Sequence, residues 1–566
     1  YATATQVGAS AIAQVASYLG FSNPPVIDDA MPFRPMPFPV LASAEQSFPI
    51  EKLTIDPKNE LTVDPRVTGL PPTDELEITN LVAKESYLTQ TSWSSSQGVD
   101  TILFSSTVSP SLFDCNAVTN AVNYLTPLCW VSQLFQYWRG DIIFRFKFIA
   151  TQYHRGRVRI IYDPAGTSGT NVLNTVGTQA SCFNEVVDLT KDTNVEIRVP
   201  YRQYLAWLRP PPIGSQSSIW WSTATTPSFN HVLGLTNGTI VVRVVTGLTG
   251  PTSSASIPIM VSVRAAENFE LAMPIDPQQN FSVFVAQSLT EYDASPSVDV
   301  IAGNAPSVSA PTRFLVNFGE NVATLRQLLR RYSLTACHVG NVSVTNSNFQ
   351  TIFINFTPMP PFPGFDPGGL GEAKGLVATT TTFAYNWTIN TPLLWLASAF
   401  IGRRGSLNHT FNVDKYSIPR NITVNRVTGG VNPAQVNLAA TGTSYVGPSS
   451  SANNILFGGA NPARSTAAGA SVTNGTTQAG LNVQLPMYSA YKFITTDPLN
   501  STVYNGQDDS QYNSYVLTVD MSQIDSASTA VIKIFQHVAI GTDFSLHFFL
   551  NVPTLVRYAS QPVPVD

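Results

Sequence analysis

Several groups of residues in the chain have the types that chemistry uses. Arg139-Gly140-Asp141 is the tripeptide an integrin binds when an exposed loop presents it. Here it falls between a predicted helix and an aromatic strand, with the glycine supplying a turn, so a buried or half-buried corner is expected. GGLGEAKG (368–375) has glycines and a lysine but lacks the GxxxxGK[ST] spacing, and no strand and helix flank it, so no nucleotide site is expected. The six histidines (His154, His231, His338, His409, His537, His547) form no HExxH or HxH pair, and the four cysteines (Cys115, Cys129, Cys182, Cys337) show no CxxC or Cys/His spacing. Neither a metal site nor a disulfide framework is indicated. The histidines read as ordinary strand and loop residues, with a pH-sensitive interface contact as their minor alternative. GxSxG is absent and no Ser, His and Asp grouping stands out locally, so no catalytic residue, cofactor or metal ligand is named, although a spatial grouping stays open. Sequons at Asn237, Asn386, Asn408, Asn421 and Asn474 read as coincidence in a chain rich in Asn, Ser and Thr.

The background to these residues is apolar and poor in charge. Of 566 residues, 12% are charged and 43% hydrophobic, whereas a soluble globular protein carries about 25% charged residues. A packed core is expected, and disorder is excluded. The net charge of -5 and the lack of a Lys/Arg block exclude a general attraction to nucleic acid, so any RNA contact must be local and weak. No apolar run reaches the length of a membrane span. Tyr1 opens the chain without Met or a signal peptide, so a processed piece of something longer is expected.

The pattern along the chain is mostly that of strands. In DIIFRFKFIA, Phe144, Phe146 and Phe148 share one face and Arg145 and Lys147 the other, which predicts one buried and one solvated face. RVRIIYDP, VEIRVPY, GTIVVRVVTGL and SIPIMVSVRAA read as further strands, each bounded by turn residues. Thr126 and Pro127 open a short helix with Leu128, Val131, Leu134 and Phe135 on one face. GENVATLRQLLRRYSL repeats that device through Leu325, Leu328, Leu329 and Tyr332. FQTIFINFTP, TPLLWLASAFIG, SAYKFITT, YVLTVDM, TAVIKIFQHVAIG and DFSLHFFLNVP continue as strands, the last with alternating dry and wet positions from Phe544 to Asn551.

The domain reading is a small amphipathic peptide at 1–21, with Ile12, Val15 and Leu19 at helical spacing, then an extended arm at 22–74. A first β domain follows at 75–275, a linker at 276–312 and a second β domain at 313–566. Runs 358–375 and 427–480 lack a pattern to bury and read as long surface loops. The fold class is all-β: two tandem eight-stranded antiparallel sandwiches with short helices and an N-terminal arm.

The run FQYWRGDIIFRFKFIATQYHRGRVRIIYDP resembles the C and D strands of jelly-roll capsid proteins of picorna-like viruses, the dicistrovirus, iflavirus and marnavirus groups of the order Picornavirales. VPYRQYLAWL, GTIVVRVVTG and SIPIMVSVRAAENFELAMP resemble later strands of the same subunit. FGENVATLRQLLRRY, AFIGRRGSLNHTFNV, LPMYSAYKF and AIGTDFSLHFFLNVPTL resemble the capsid protein that clusters at five-fold axes. The two long loops do not match.

The resemblance implies two jelly rolls that join a third capsid protein, about sixty copies of each, in an icosahedral pseudo-T=3 shell. That shell would enclose single-stranded RNA through weak local contacts, form in host cytoplasm and meet an unidentified receptor. It implies polyprotein cleavage by a viral cysteine protease, with Gln287-Ser288 as the matching pair. LGFSNPP is similar to the junction behind a small internal peptide, which places a cut between Phe21 and Ser22. The family's Asp-Asp-Phe motif is not matched by Asp28-Asp29-Ala30 or Asp508-Asp509-Ser510. The rival reading is a secreted or cell-surface carbohydrate-binding β-sandwich or glycosidase, with Trp138, Trp207, Trp220 and Trp221 stacking on sugar.

Overall fold

A computed structural model describes residues 50–115, 122–165, 182–214, 219–226, 234–277, 281–284, 298–300, 312–342, 350–360, 365–366, 377–380, 383–386, 389–414, 419–427, 466–475, 478, 480–496, 514–521 and 530–557. The first sandwich has eight strands: β1 (Ser86–Ser94), β2 (Ile102–Thr107), β3 (Ile142–Phe148), β4 (Arg155–Asp163), β5 (Phe183–Asp188), β6 (Asn194–Val199), β7 (Thr239–Thr249) and β8 (Ser256–Ala265). They pair antiparallel in the orders β1-β8-β3-β6 and β2-β7-β4-β5. The second sandwich repeats the plan with β9 (Ser333–Val342), β10 (Gln350–Phe356), β11 (Leu407–Val413), β12 (Pro419–Val427), β13 (Ala470–Asn474), β14 (Gly480–Leu485), β15 (Ser514–Met521) and β16 (Ala530–Ile540). Its sheets run β9-β16-β11-β14 and β10-β15-β12-β13, again antiparallel. This order, twice over, is the jelly roll. The aromatic strand and its successor are the third and fourth strands of eight, D and E in a lettering from B to I, one letter beyond the expected C and D. Two polar-faced strands, SYLTQTSWS and ILFSST, precede them and carry too little apolar alternation to be read in advance.

Phe144, Phe146 and Phe148 fill the space between the first pair of sheets, with Phe146 edge-on to Phe104 at 6.0 Å. The opposite face of β3 is less wet than alternation predicts. Lys147 is exposed, but Arg145 is buried, its guanidinium paired with Glu85 at 3.0 Å and hydrogen-bonded to Asn194 Oδ1 at 2.7 Å. Paired charge can be buried where lone charge cannot.

Of the short helices among the described residues, four lie beside the sheets: α1 (Ile78–Val82), α2 (Pro127–Ser132), α3 (Leu325–Leu329) and α4 (Pro392–Ala397). The helix α4 corrects the strand reading of TPLLWLASAFIG. Thr391 Oγ1 accepts from Leu394 N and Pro392 opens the turn, as Thr126 and Pro127 do for α2. The counterpart of α2 is therefore α4, whereas α3 corresponds to α1. Only Ile494–Thr495 of SAYKFITT is strand. In DFSLHFFLNVP, Ser545 and His547 are buried beside Phe544 and Leu546, because Thr68 from the arm covers the face expected to be wet.

The linker and one loop also differ from expectation. Phe281–Phe284 and Val298–Val300 are strands, the first antiparallel to Thr554–Arg557 and the second parallel to β6. The run 427–480 ends in β13, which pairs with β12. Each of these stretches takes strand form along the edge of a partner strand. Residues 1–49, including the expected peptide at 1–21, lie outside the described residues. Replacing Phe146 by Ala should lower the unfolding free energy by about 3–5 kcal/mol, read from the denaturant midpoint of the first sandwich.

Candidate functional site

The Arg-Gly-Asp tripeptide forms a closed corner between the strand Phe135–Arg139 and β3. Gly140 has φ +119°, and a Cβ there would lie 2.5 Å from Phe269 Cα and 2.6 Å from Asn268 O. Asp141 is fully buried: Tyr201 N donates to its Oδ1 at 2.9 Å and Arg198 Nε to its Oδ2 at 2.8 Å. Arg139 is 4% exposed, paired with Glu270 and stacked over Trp207 at 4.9 Å. Neither the Arg139 nor the Asp141 side chain is presented to a partner, as the turn reading anticipates. The second half has the same corner at Arg404-Gly405-Ser406, with Gly405 at φ +102° and Asp543 Oδ1 accepting from Ser406 N at 3.0 Å.

A serine–histidine pair two residues apart in the strand Ser545–Phe549, outside the GxSxG pattern, is in contact. Ser545 Oγ lies 2.8 Å from His547 Nε2, and Thr68 Oγ1 is 3.3 Å from Nδ1. Both residues are 1% exposed and the third partner is a hydroxyl rather than a carboxylate, so the pair fastens the arm and offers no substrate access. Burial, with the Arg326 and Arg404 charges, lowers the His547 pKa to about 4.

The sugar-platform reading is corrected at Trp138 and Trp207, both buried. Trp220 and Trp221 donate their indole N–H groups to Pro212 O at 3.3 Å and Phe113 O at 2.8 Å, and both pack against the core. Of the sequons, Asn237 is buried, accepting from Arg202 N at 2.9 Å and donating to Pro200 O at 2.9 Å; Asn408 is buried too. All four cysteines are free thiols. Among the described residues, no group of three or more His, Cys, Asp or Glu stands together, and no helix is long and apolar enough to cross a membrane. Gln287, Ser288, Phe21, Ser22, His231 and the GGLGEAKG run lie outside the described residues.

What the fold assembles is a border between the two sandwiches. Glu77 and Thr324, each just ahead of its helix, pair antiparallel; Ile78 N donates to Ala323 O at 3.1 Å and Leu325 N to Leu76 O at 2.9 Å. Trp395 Nε1 donates to Trp130 O at 3.1 Å, and these tryptophans hold the same position in α4 and α2. Equivalent elements meet, as they do across a local two-fold axis. Arg326 Nε reaches Asp74 Oδ2 at 3.0 Å. Glu75 accepts from Phe548 N at 2.6 Å and from Phe549 N, holding Phe548 at φ +61°. One buried apolar cluster runs unbroken from Phe104 and Phe146 through Trp130 and Trp395 to Leu546 and Leu555. The signal was present in sequence: TPLCWVSQLFQYWRGDIIFRF (126–146) and TPLLWLASAFIGRRGSLNHTF (391–411) align without a gap, sharing Thr, Pro, Leu, Trp, Phe, Arg, Gly and a final Phe.

No family model matches the chain. It is 22% identical over 570 residues to the structural polyprotein of Cricket paralysis virus, covering 90% of this chain and 58% of that one. It is 23% identical over 374 residues to the structural polyprotein of Acute bee paralysis virus, covering 57% of this chain and 40% of that one. A solved structure of a marine algae virus of the order Picornavirales is 30% identical, covering 45% of this chain and 95% of that chain, with a TM-score of 0.39. The chain belongs to the capsid polyproteins of picorna-like viruses. It spans 58% of the length of the Cricket paralysis virus polyprotein.

Two predictions follow from this geometry. Gly140→Ala should destabilise the first sandwich by about 1–3 kcal/mol through strain at positive φ and a main-chain clash, measured by thermal melting. The second concerns the chain in which Gln536 accepts from His338 Nε2 at 3.0 Å and donates to His409 Nδ1 at 3.1 Å, while His409 Nε2 donates to Pro358 O at 2.8 Å. Burial lowers the His409 pKa from 6.5 to about 4, and lowers that of His338 as well. With the folded value below the unfolded one, the unfolded chain binds more protons between them. Stability is complete above pH 6.5 and falls as pH drops toward 4. Melting temperature should decline across that window, with a shallower slope in His409→Gln.

Proposed function

We propose that the two jelly rolls are neighbouring structural subunits of a non-enveloped icosahedral virion, tiling the shell with a third jelly-roll protein that lies outside this chain. The observation that carries this reading is the doubled jelly roll whose halves share one apolar cluster across their border, in a chain that aligns over 90% of its length with a structural polyprotein. Its role is to enclose single-stranded RNA and to survive outside the cell, which asks for packing and edge closure rather than a reactive centre.

Low charge fits a subunit that hides much of its surface against neighbours, where lone charge costs desolvation. With net charge -5, RNA is held by enclosure and scattered local contacts instead of a basic arm. Host attachment falls to the segments 358–375 and 427–480, and Gln287-Ser288 and Phe21-Ser22 are the candidate maturation cuts for the viral cysteine protease and for a separate event.

Expression with the third capsid protein and the viral protease, followed by negative-stain electron microscopy, should show closed particles of uniform diameter. Mass spectrometry of the subunits should find a new amino terminus at Ser288. Monomers alone under assembly conditions, together with a saccharide-dependent thermal shift, would reverse the reading in favour of a carbohydrate-binding module. Intact particles without the Ser288 terminus would keep the shell and discard the cut.

A further inference from the structure

The equivalent corners of the two halves differ in where their charge sits. In the first half Asp141 lies at the corner before β3, and Arg198 of β6 supplies the opposite charge at 2.8 Å. In the second half Ser406 stands in place of Asp141, and the carboxylate is found across the corner at Asp543, which holds the place of Asn268. Asp141 N donates to Asn268 Oδ1 at 3.1 Å, and Ser406 N to Asp543 Oδ1 at 3.0 Å. The register puts Gln484 of β14 where Arg198 stands, since Arg198 pairs with Ile143 and Gln484 with Asn408, the second residues of β3 and β11. The second corner therefore has a carboxylate, 5% exposed, without the guanidinium that accompanies it in the first.

The surroundings of Asp543 do not make up that charge. Its Oδ1 accepts from Ser406 N and Ser406 Oγ, and its Oδ2 from Leu61 N at 3.1 Å. Lys52, opposite Gln484 in the parallel pairing with β14, is turned to Glu60 at 3.6 Å, and Glu60 also accepts from Thr542 Oγ1 at 3.2 Å. Arg404 donates to Lys492 O at 2.8 Å, and Arg326, which donates to Phe544 O, is paired with Asp74. Lys52, Glu60 and Asp543 together leave one negative charge. Acceptors without donors collect at the same place. Gln484 Nε2 donates to Ser406 Oγ at 2.7 Å and Asn408 Nδ2 to Ile540 O at 3.3 Å, which orients both amides, and Gln484 Oε1 and Asn408 Oδ1 are then buried with no donor. The two residues are 4% and 0% exposed. A Cβ on Gly541 would lie within 3.0 Å of Ser406 Oγ, Gln484 Nε2 and Asp543 Oδ1, so three of these groups converge on one point. A lone charge and unpaired carbonyl oxygens are both costly to bury.

We propose that the corner formed by Asn408, Gln484 and Asp543 binds a hard, singly charged cation, Na⁺ or K⁺, which does there what the Arg198 guanidinium does in the first half. Asp543 supplies the charge, and Gln484 Oε1 and Asn408 Oδ1 supply neutral oxygens, the donor type that hard cations take. One uncompensated negative charge calls for one positive charge. Because Leu61 N donates to the same carboxylate, the ion also steadies the stretch of arm that crosses the corner. Only the folded second half and its arm are needed, so the site stands apart from the shell reading.

The test is thermal melting of the full chain at constant ionic strength in NaCl, KCl, CaCl₂ or tetramethylammonium chloride, whose cation is too large and too weakly coordinating to enter. NaCl or KCl should raise the midpoint by at least about 2 °C over tetramethylammonium, and the rise should saturate on titration. Equal midpoints in all the salts would overturn the proposal, and a rise in CaCl₂ alone would overturn the singly charged assignment. Gln484→Arg supplies the first half's residue, and Asp543→Asn removes the charge while keeping an acceptor for Ser406 N. Each should abolish the difference between salts, whatever its own midpoint, and a difference that persists in both would place the ion elsewhere and sink the site. Hydrogen exchange of the wild-type chain needs no variant: the Leu61 amide should exchange more slowly in the favoured salt than in tetramethylammonium chloride, and an unchanged rate would count against the corner.

Discussion

A jelly roll leaves rows of main-chain N–H and C=O groups along the outer strands of its sheets, and an open edge is both an energetic loss and an invitation to uncontrolled pairing. The architecture follows from how this chain closes those rows. In each half the outermost strand of one sheet, β6 or β14, receives a short parallel strand from a segment belonging to the other half. The arm and the linker take strand form where an edge offers them a partner. The close approach of α1 to α3 and of α2 to α4 accompanies this exchange, and with it the first core extends across the border while the second sandwich keeps a cluster of its own.

Charge obeys the same economy. Arg145 with Glu85, Arg264 with Glu196, and Arg198 with Asp141 and Glu267 tie the sheet containing β3 and β6 to its surroundings. Buried pairs of this kind are poor sources of net stability, but removing one member strands the other in a low-dielectric setting. They fix register and corner geometry, as Arg139 and Asp141 do in the Arg-Gly-Asp turn. A tripeptide that could have been a recognition element is instead the hinge point of a corner, and the second half builds the same corner with Ser406 in place of Asp141.

Much of the fold was legible in residues that bury. Phe144, Phe146 and Phe148 announced β3, and the alternation in SIPIMVSVRAA announced β8, because a period of two along a half-buried strand is written directly in side-chain type. Strands such as β1 and β2 were not legible, since Ser and Thr dominate them and their burial comes from neighbours. TPLLWLASAFIG misled because a short buried helix and a buried strand are both continuous apolar runs; the Thr391-Pro392 cap was the signal that separates them. The border was carried in the sequence only as the ungapped likeness of 126–146 to 391–411, which marks equivalent elements without saying that they touch.

By itself the sequence determined the all-β class, the doubled domain plan, the absence of local ligand and nucleophile motifs, and the likeness to picorna-like capsid proteins, because these follow from composition, periodicity and short-range order. Only the tertiary structure decided that Arg145 and Asp141 are buried, that Ser545 and His547 meet under Thr68, and that the arm and the linker exchange places on β14 and β6. Those outcomes depend on which main-chain edge or opposite charge arrives beside a residue, from 49 to 479 positions away along the chain, and no local pattern records that partner's identity.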